Sequence, residues 1–223
     1  MERSHLKAES IKLAIIIPAF NEQMTIQKVV NSVKFAGTVI VVDDCSTDET
    51  SNMAIEAGAV VVKHIINKGY DLALESGFAK ANELKMDFAI TLDADGQHPS
   101  EVLNTMIKNF EHGQLLVLGV RDKLPRLSEK LFSFYSRKKF GVKDPCCGLK
   151  GYSMLFYRQH KCFTRYPSIG TDLMFSALHS GAKAEQISFK VKERFDKPRF
   201  GSVLTSNLKI LNALIKTIKY YGF

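Results

Sequence analysis

Short apolar runs rich in β-branched residues recur through the first half of the chain, and an amphipathic stretch follows each of them. Leu13–Ile17, Val39–Val42, Val60–Val62, Phe88–Leu92 and Leu115–Leu118 do not alternate with polar residues, so they read as strands buried on both faces. Between them, Thr25–Phe35 sets Ile26, Val29, Val30 and Val33 at helical spacing. Asp48–Ala57, Asp71–Leu84 and Ser100–Glu111 also suit helices, with Thr, Asp and Ser near their starts. Strands that alternate with crossover helices predict an α/β fold, a mostly parallel Rossmann-like sheet with helices on both faces.

In such sheets ligands sit beyond the carboxyl ends of the strands. The segments there are Pro18-Ala-Phe-Asn-Glu22, Asp43-Asp-Cys-Ser-Thr-Asp48 and Asp93-Ala-Asp-Gly-Gln-His98. All three are expected on one rim, which concentrates the acidic chemistry where a pocket should form. Beyond Gly119 the pattern is less regular and more basic. Lys123–Phe140 carries Leu127, Leu131 and Phe134 on one side, with Lys130, Arg137, Lys138 and Lys139 elsewhere. A turn is expected over Asp144–Gly151, a helix over Leu173–His179, a strand over Ala184–Val191 and a charged loop over Lys192–Ser202. Val203–Tyr221 is amphipathic: Leu204, Leu208, Leu211, Ile215 and Ile218 share a face opposite Lys209, Lys216 and Lys219.

With 45% hydrophobic residues, a chain of 223 residues can bury one sizeable core. The expected division is an extension over 1–12, one catalytic domain over 13–202 and a terminal amphipathic helix over 203–223. The polar start lacks the apolar core of a signal peptide, and no run approaches the roughly 18 apolar residues of a spanning helix. Cys45, Cys146, Cys147 and Cys162 match neither a zinc pattern nor a secreted disulfide framework, so small buried thiols in a reducing cytoplasm are expected. The net charge of +8 favours anionic partners without choosing among nucleotide diphosphates, lipid head groups and nucleic acid.

The sharpest local signal is Asp93-Ala-Asp95, two carboxylates one residue apart at the end of a buried strand. Both can turn toward one hard cation, Mg²⁺ or Mn²⁺, which keeps positions for water and phosphate oxygens. A helix-capping aspartate before Pro99 is the plain alternative. The Asp44 carboxylate can accept the ring N–H of a pyrimidine or the N1 and N2 hydrogens of guanine, and Asp48 can cap the next helix. Phe20 can lie against a base or belong to the core.

Ile17-Pro-Ala-Phe-Asn-Glu22, Val42-Asp-Asp-Cys-Ser-Thr-Asp48, Asn67-Lys-Gly69 and Asp93-Ala-Asp-Gly-Gln-His-Pro99 stand in the order seen in family 2 glycosyltransferases. Gly119-Val-Arg121, Asp144-Pro-Cys-Cys-Gly-Leu149 and Arg199-Phe-Gly-Ser202 extend the resemblance across most of the chain. The set most resembles the branch of dolichyl-phosphate mannose synthase and the bacterial polyprenyl-phosphate sugar transferases. The resemblance implies a GT-A fold, a GDP- or UDP-sugar donor and inversion at the anomeric carbon. It places Pro18, Phe20, Glu22 and Asp44 at the nucleoside. Asn67, Asp93, Ala94, Asp95 and Gln97 fall along the sugar nucleotide, with Asp93 and Asp95 at the diphosphate and its metal. Arg121 and Arg199 meet phosphate charge, for which a planar guanidinium fork is suited.

Asp172 falls where many family members place an acid near the acceptor. It is either a general base, which a hydroxyl acceptor needs and an ionised phosphate does not, or the N-cap of the next helix. The sequence departs from the family at Asp71, which stands where a second glycine is usual and could cap a helix, and at Cys146-Cys147, where small hydroxylated residues are usual. His98 neighbours the carboxylates and could reach the metal, but is expected to be solvated or bonded within its turn. The leading expectation is a hexosyltransferase on the cytoplasmic membrane face with a polyprenyl- or dolichyl-phosphate acceptor, its basic helices lying on anionic lipid. The alternatives are a glycan hydroxyl acceptor, or a non-catalytic nucleotide or nucleic-acid binding module. The last is disfavoured because the acidic rim repels polyphosphate without a metal, so no nucleic-acid partner is expected.

Overall fold

The computed structural model describes residues 11–192 and 203–223. Its elements run β1 (Leu13–Ala19), α1 (Ile26–Val33), β2 (Thr38–Asp43), α2 (Thr50–Glu56), β3 (Val60–Lys63), α3 (Tyr70–Glu83), β4 (Phe88–Thr91) and α4 (Glu101–Glu111). The second half adds β5 (Leu116–Arg121), α5 (Leu127–Phe140), β6 (Lys150–Ser153), α6 (Met154–His160), α7 (Asp172–His179), β7 (Glu185–Phe189) and α8 (Val203–Tyr221). The seven strands form one sheet in the order β3-β2-β1-β4-β6-β5-β7. The β1–β4 strands pair in parallel, as do β5 and β7, whereas β6 is antiparallel to both β4 and β5.

The two faces of β1 explain why its sequence is apolar throughout. Ala14 and Ile16 enter a core with α3, α5 and α7, while Ile15 and Ile17 enter a second core with α1 and α4. Each fully buried isoleucine contributes roughly 1.5–3 kcal/mol through burial of its side chain.

β6 takes over the last two residues of the turn expected at Asp144–Gly151, and α6 succeeds it directly. Lys150-Gly-Tyr-Ser has no apolar run, yet all four residues are buried because the strand is inserted between β4 and β5. Its tertiary position, and not its composition, makes it a strand.

The two basic helices are turned differently from the simplest amphipathic expectation. In α8 the core-facing stripe is Ser206, Ile210, Ala213, Thr217 and Tyr221. Leu204, Leu208 and Ile215 remain 58–70% exposed. In α5, Phe132 and Tyr135 pack inward while Leu127, Leu131 and Phe134 face outward. The two helices lie side by side in parallel, tied by Ser128 Oγ to Asn207 Oδ1 at 2.6 Å near their starts and Tyr135 Oη to the Gly222 carbonyl at 2.6 Å near their ends. Among the described residues no helix is long and apolar enough to cross a membrane.

Candidate active site

The carboxyl ends of β1, β2 and β4 open onto a cleft of about 500 Å³. Pro18, Phe20, Glu22, Asp44, Asn67, Asp93, Ala94, Asp95, Gln97 and Arg121 all line it. Arg199 lies outside the described residues. Asp172 does not belong to the cleft wall.

The first two loops are stitched together. Asn21 adopts a left-handed conformation, φ 54°, which asparagine tolerates better than most residues. Its side chain accepts from Thr47 N at 2.8 Å, and its amide donates to Ser46 Oγ at 2.8 Å. Asp48 accepts from Thr50 N at 3.0 Å at the start of α2, but Glu49 holds the N-cap position, so the cap expected of Asp48 is corrected; the helix begins two residues later than expected.

Asp44 is buried and organises the next loop. Its carboxylate accepts from Lys68 N at 2.8 Å and Gly69 N at 2.7 Å, and lies 2.6 Å from His64 Nδ1. The other ring nitrogen of His64 is 2.8 Å from Ser76 Oγ. Asn67 Nδ2 donates to the Asp44 carbonyl at 3.1 Å. His64 shows no ligand spacing in the sequence; its position directly after β3 is the signal that marks it. It braces the carboxylate nearest the expected nucleoside.

Asp93 and Asp95 follow β4 with different environments. Asp95 Oδ1 accepts from Gln97 N at 3.0 Å, which turns the loop. Asp93 Oδ1 accepts from Tyr70 Oη at 3.2 Å. Burial, and then the charge of Asp93, push the Tyr70 phenol well above its usual range, so it remains a protonated donor. The amide of Asp93 donates to His98 Nδ1 at 3.3 Å, so His98 serves the turn. Gly148 closes the other side: a Cβ added there would stand 2.3 Å from Asp93 Oδ2. Only glycine lets the backbone come so near the carboxylate. The donor set is hard oxygen, and among the described residues no three metal-ligating side chains gather at one point. Two carboxylates with open positions suit Mg²⁺ or Mn²⁺ completed by water and diphosphate oxygens, and do not suit a closed structural site.

The opposite wall is a charged cluster. Arg121 forks onto Asp144, Nε to Oδ2 at 2.7 Å and Nη2 to Oδ1 at 2.9 Å, and reaches Glu129 Oε1 at 3.3 Å. Burial alone would lower the Arg121 pKa; hydrogen bonding and charge from Asp144, then Glu129, raise it instead. Arg126 Nη1 also donates to Glu129 at 3.2 Å. The guanidinium expected at a phosphate is thus already shared between two acids that the sequence does not single out. Lys150 is buried nearby; desolvation lowers its pKa against the attraction of Asp144 and Asp93. Ser206, Lys209 and Ile210 bring α8 into the same wall.

Asp172 is fully buried at the first residue of α7, and Thr171 holds the N-cap position, so the capping reading is corrected. Its carboxylate accepts from Arg165 N at 2.7 Å, Arg165 Nη2 at 2.7 Å and Tyr221 Oη at 2.6 Å, with His160 Nε2 at 3.5 Å. Burial by itself raises the pKa, but donation from His160, Arg165 and Tyr221 overrides it and holds the acid well below the usual carboxylate range. A carboxylate so enclosed and outside the cleft wall weighs against the general-base reading.

The sequence profile of Glycosyl transferase family 2 matches residues 14–154. An uncharacterised protein of Methanocaldococcus jannaschii is 37% identical, covering 92% of this chain and 91% of its own. A UDP-N-acetylglucosamine–dolichyl-phosphate N-acetylglucosaminyltransferase of Methanococcus voltae is 33% identical over 50% of this chain, and the match spans about half, 53%, of that enzyme's length. Among solved structures, glucosyl-3-phosphoglycerate synthase of Mycobacterium tuberculosis, crystallised with Mn²⁺, UDP and phosphoglyceric acid, superposes with a TM-score of 0.75. That likeness is one of fold, at 19% identity over 93% of this chain and 78% of that one. The sheet and its flanking helices are those of a GT-A glycosyltransferase. The chain belongs to glycosyltransferase family 2.

Proposed function

We propose that the enzyme transfers a sugar from a nucleotide diphosphate sugar to a polyprenyl- or dolichyl-type lipid phosphate, with inversion and with Mg²⁺ or Mn²⁺ at Asp93 and Asp95. The observation that carries the lipid acceptor is the double use of α5 and α8. The helices that bear the outward rows of Leu127, Leu131 and Phe134 and of Leu204, Leu208 and Ile215 also supply Arg126, Glu129, Ser206 and Lys209 to the cleft wall. Lipid tails can meet the apolar rows, with Lys130, Lys138, Lys209 and Lys219 among the head groups, while the phosphate enters the cleft. The Methanococcus voltae relative acts on such a lipid phosphate by its name.

In this scheme Asp44, braced by His64, faces the nucleoside, with Phe20 and Pro18 beside it. Asp93 and Asp95 would hold a divalent cation at the diphosphate end, which would supply positive charge against that growing on the leaving oxygen. Arg121 and Arg126 approach the acceptor side by exchanging part of their hold on Glu129 for phosphate oxygens. No general base is required for an ionised phosphate nucleophile, in keeping with the enclosure of Asp172. A hydroxyl acceptor is the second reading, since the cleft also contains Glu22 and Glu129.

The donor half is tested by thermal shift with a panel of GDP- and UDP-sugars, with and without Mn²⁺. One nucleotide series should stabilise the protein in a metal-dependent way, by roughly 2.7 kcal/mol at a hundredfold excess over Kd. No metal-dependent shift with any member would defeat the donor assignment. The acceptor half predicts flotation with anionic liposomes, lost when Leu204, Leu208 and Leu131 are all changed to Ser while the thermal shift persists. Failure of the unmodified protein to float, even at low salt, counts against the lipid surface.

A further inference from the structure

Asp71 stands at the start of α3, inside the first turn, but it does not cap its own helix. Its carboxylate reaches across 97 residues of sequence and gathers the amides of a different loop. Oδ2 accepts from Ser168 N at 2.9 Å and Ile169 N at 3.1 Å, and Oδ1 accepts from Gly170 N at 2.6 Å and Ser168 Oγ at 3.2 Å. Three successive amides on one carboxylate fix the backbone of that loop firmly.

The conformation so fixed is unusual. Ile169 has φ 52°, the left-handed region that a β-branched residue rarely enters. Ile169 is among the residues that line the cleft. Gly170 comes next at φ 75° and packs against Tyr70, so closely that a Cβ would lie 3.0 Å from Tyr70 Cε1. Tyr70 in turn donates to Asp93 Oδ1. The loop that one carboxylate fixes therefore meets the cleft at Ile169 and lies against the tyrosine that bonds Asp93.

We infer that Ile169 is a wall of the donor-sugar pocket that selects among sugars carried on one nucleotide, and that Asp71 is the positioning residue which forces it there. The inference rests on the nucleotide-sugar reading of the cleft. In that reading Phe20 and Asp44 belong to the nucleoside end, whereas the Tyr70 contact places the 168–170 loop beside the diphosphate end, where the sugar begins. An apolar branched wall discriminates by shape and not by hydrogen bonding, and such walls commonly separate related ligands by about 10-fold to 200-fold.

The test uses the full chain with Mn²⁺ and measures Kd for UDP, GDP and their hexose and N-acetylhexosamine derivatives. The readout is the ratio of each sugar nucleotide to its own nucleoside diphosphate. Ile169→Gly, which removes the side chain and suits the left-handed backbone, should shrink the spread among sugars by about tenfold and leave the nucleoside diphosphate within about twofold. Ile169→Val should retain the spread. Asp71→Asn, which keeps only part of the acceptor capacity, should fall between the wild type and Ile169→Gly. A general structural defect would weaken the nucleoside diphosphates equally and leave the ratios unchanged. Unchanged ratios in Ile169→Gly, with sugar nucleotides still bound by the wild type, overturn the sugar wall alone. If the wild type binds no sugar nucleotide, the donor reading falls and the wall falls with it.

Discussion

Asp93→Ala and Asp95→Ala should each reduce transfer by about 10²-fold to 10³-fold or more while the protein remains folded. A fixed electrostatic partner of a developing charge is worth roughly 3–4 kcal/mol in the barrier, because it acts more strongly on the transition state than on the ground state. Folding should tolerate the loss: the Asp93 side chain is 36% exposed, with a hydrogen bond from Tyr70 and with His98 at 3.8 Å. The geometry supplies a second route to the same outcome. Gly148→Ala puts a Cβ 2.3 Å from Asp93 Oδ2, so the carboxylate or the backbone must move. Gly148→Ala should therefore lower kcat/KM and weaken the Mn²⁺-dependent thermal shift without removing any charge. Measured kcat/KM for Asp93→Ala within tenfold of wild type would remove this pair from the centre of the mechanism.

Asp172→Ala should destabilise the protein by about 2–3 kcal/mol. The value is set below that of a fully enclosed pair because Arg165 is 37% exposed and its charge is partly screened. For a domain of this size the loss should appear as a fall in Tm of roughly 5–10 °C. The pH dependence has a definite sign. Donors hold the folded Asp172 below its ordinary value of 3.8, so the stabilisation is present above that value and is lost as pH falls below it. Asp172→Asn should flatten that acid limb of the stability curve. Turnover per folded molecule should remain close to wild type, because the carboxylate lies outside the cleft. A near-complete loss of turnover at unchanged Tm would make Asp172 the general base and, with it, favour a hydroxyl acceptor.

The parallel β1–β4 half of the sheet was readable because each strand is buried on both faces, which compels a continuous β-branched run such as Ala14–Ile17. The rim residues were readable for a related reason: chain direction in a parallel sheet carries every strand end to the same edge, so Asp44 and Asp93 had to share one rim. β6 escaped because insertion between two strands buries even Lys150 and Gly151, with no hydrophobic period to announce it. The orientation of α8 escaped because two apolar stripes compete on one helix. Packing selected Ile210, Ala213 and Tyr221, and Leu204 and Leu208 were left outward.

The sequence by itself therefore determined the parallel β1–β4 half of the sheet, the rim and the family, all of which follow from local periodicity and ordered motifs. Tertiary structure alone decided what the remaining acids do. Asp71 spans 97 residues to hold the Ser168–Gly170 loop, Asp172 closes on Arg165 and Tyr221, and Glu129 and Asp144 share Arg121. A carboxylate looks the same in sequence whether it caps, braces or catalyses, because its role is set by which donors the fold brings within about 3 Å. The Asp93/Asp95 pair shows both halves of that division. Spacing marked it as a candidate cation site, but the glycine that leaves it room and the tyrosine that bonds it lie 55 and 23 residues away.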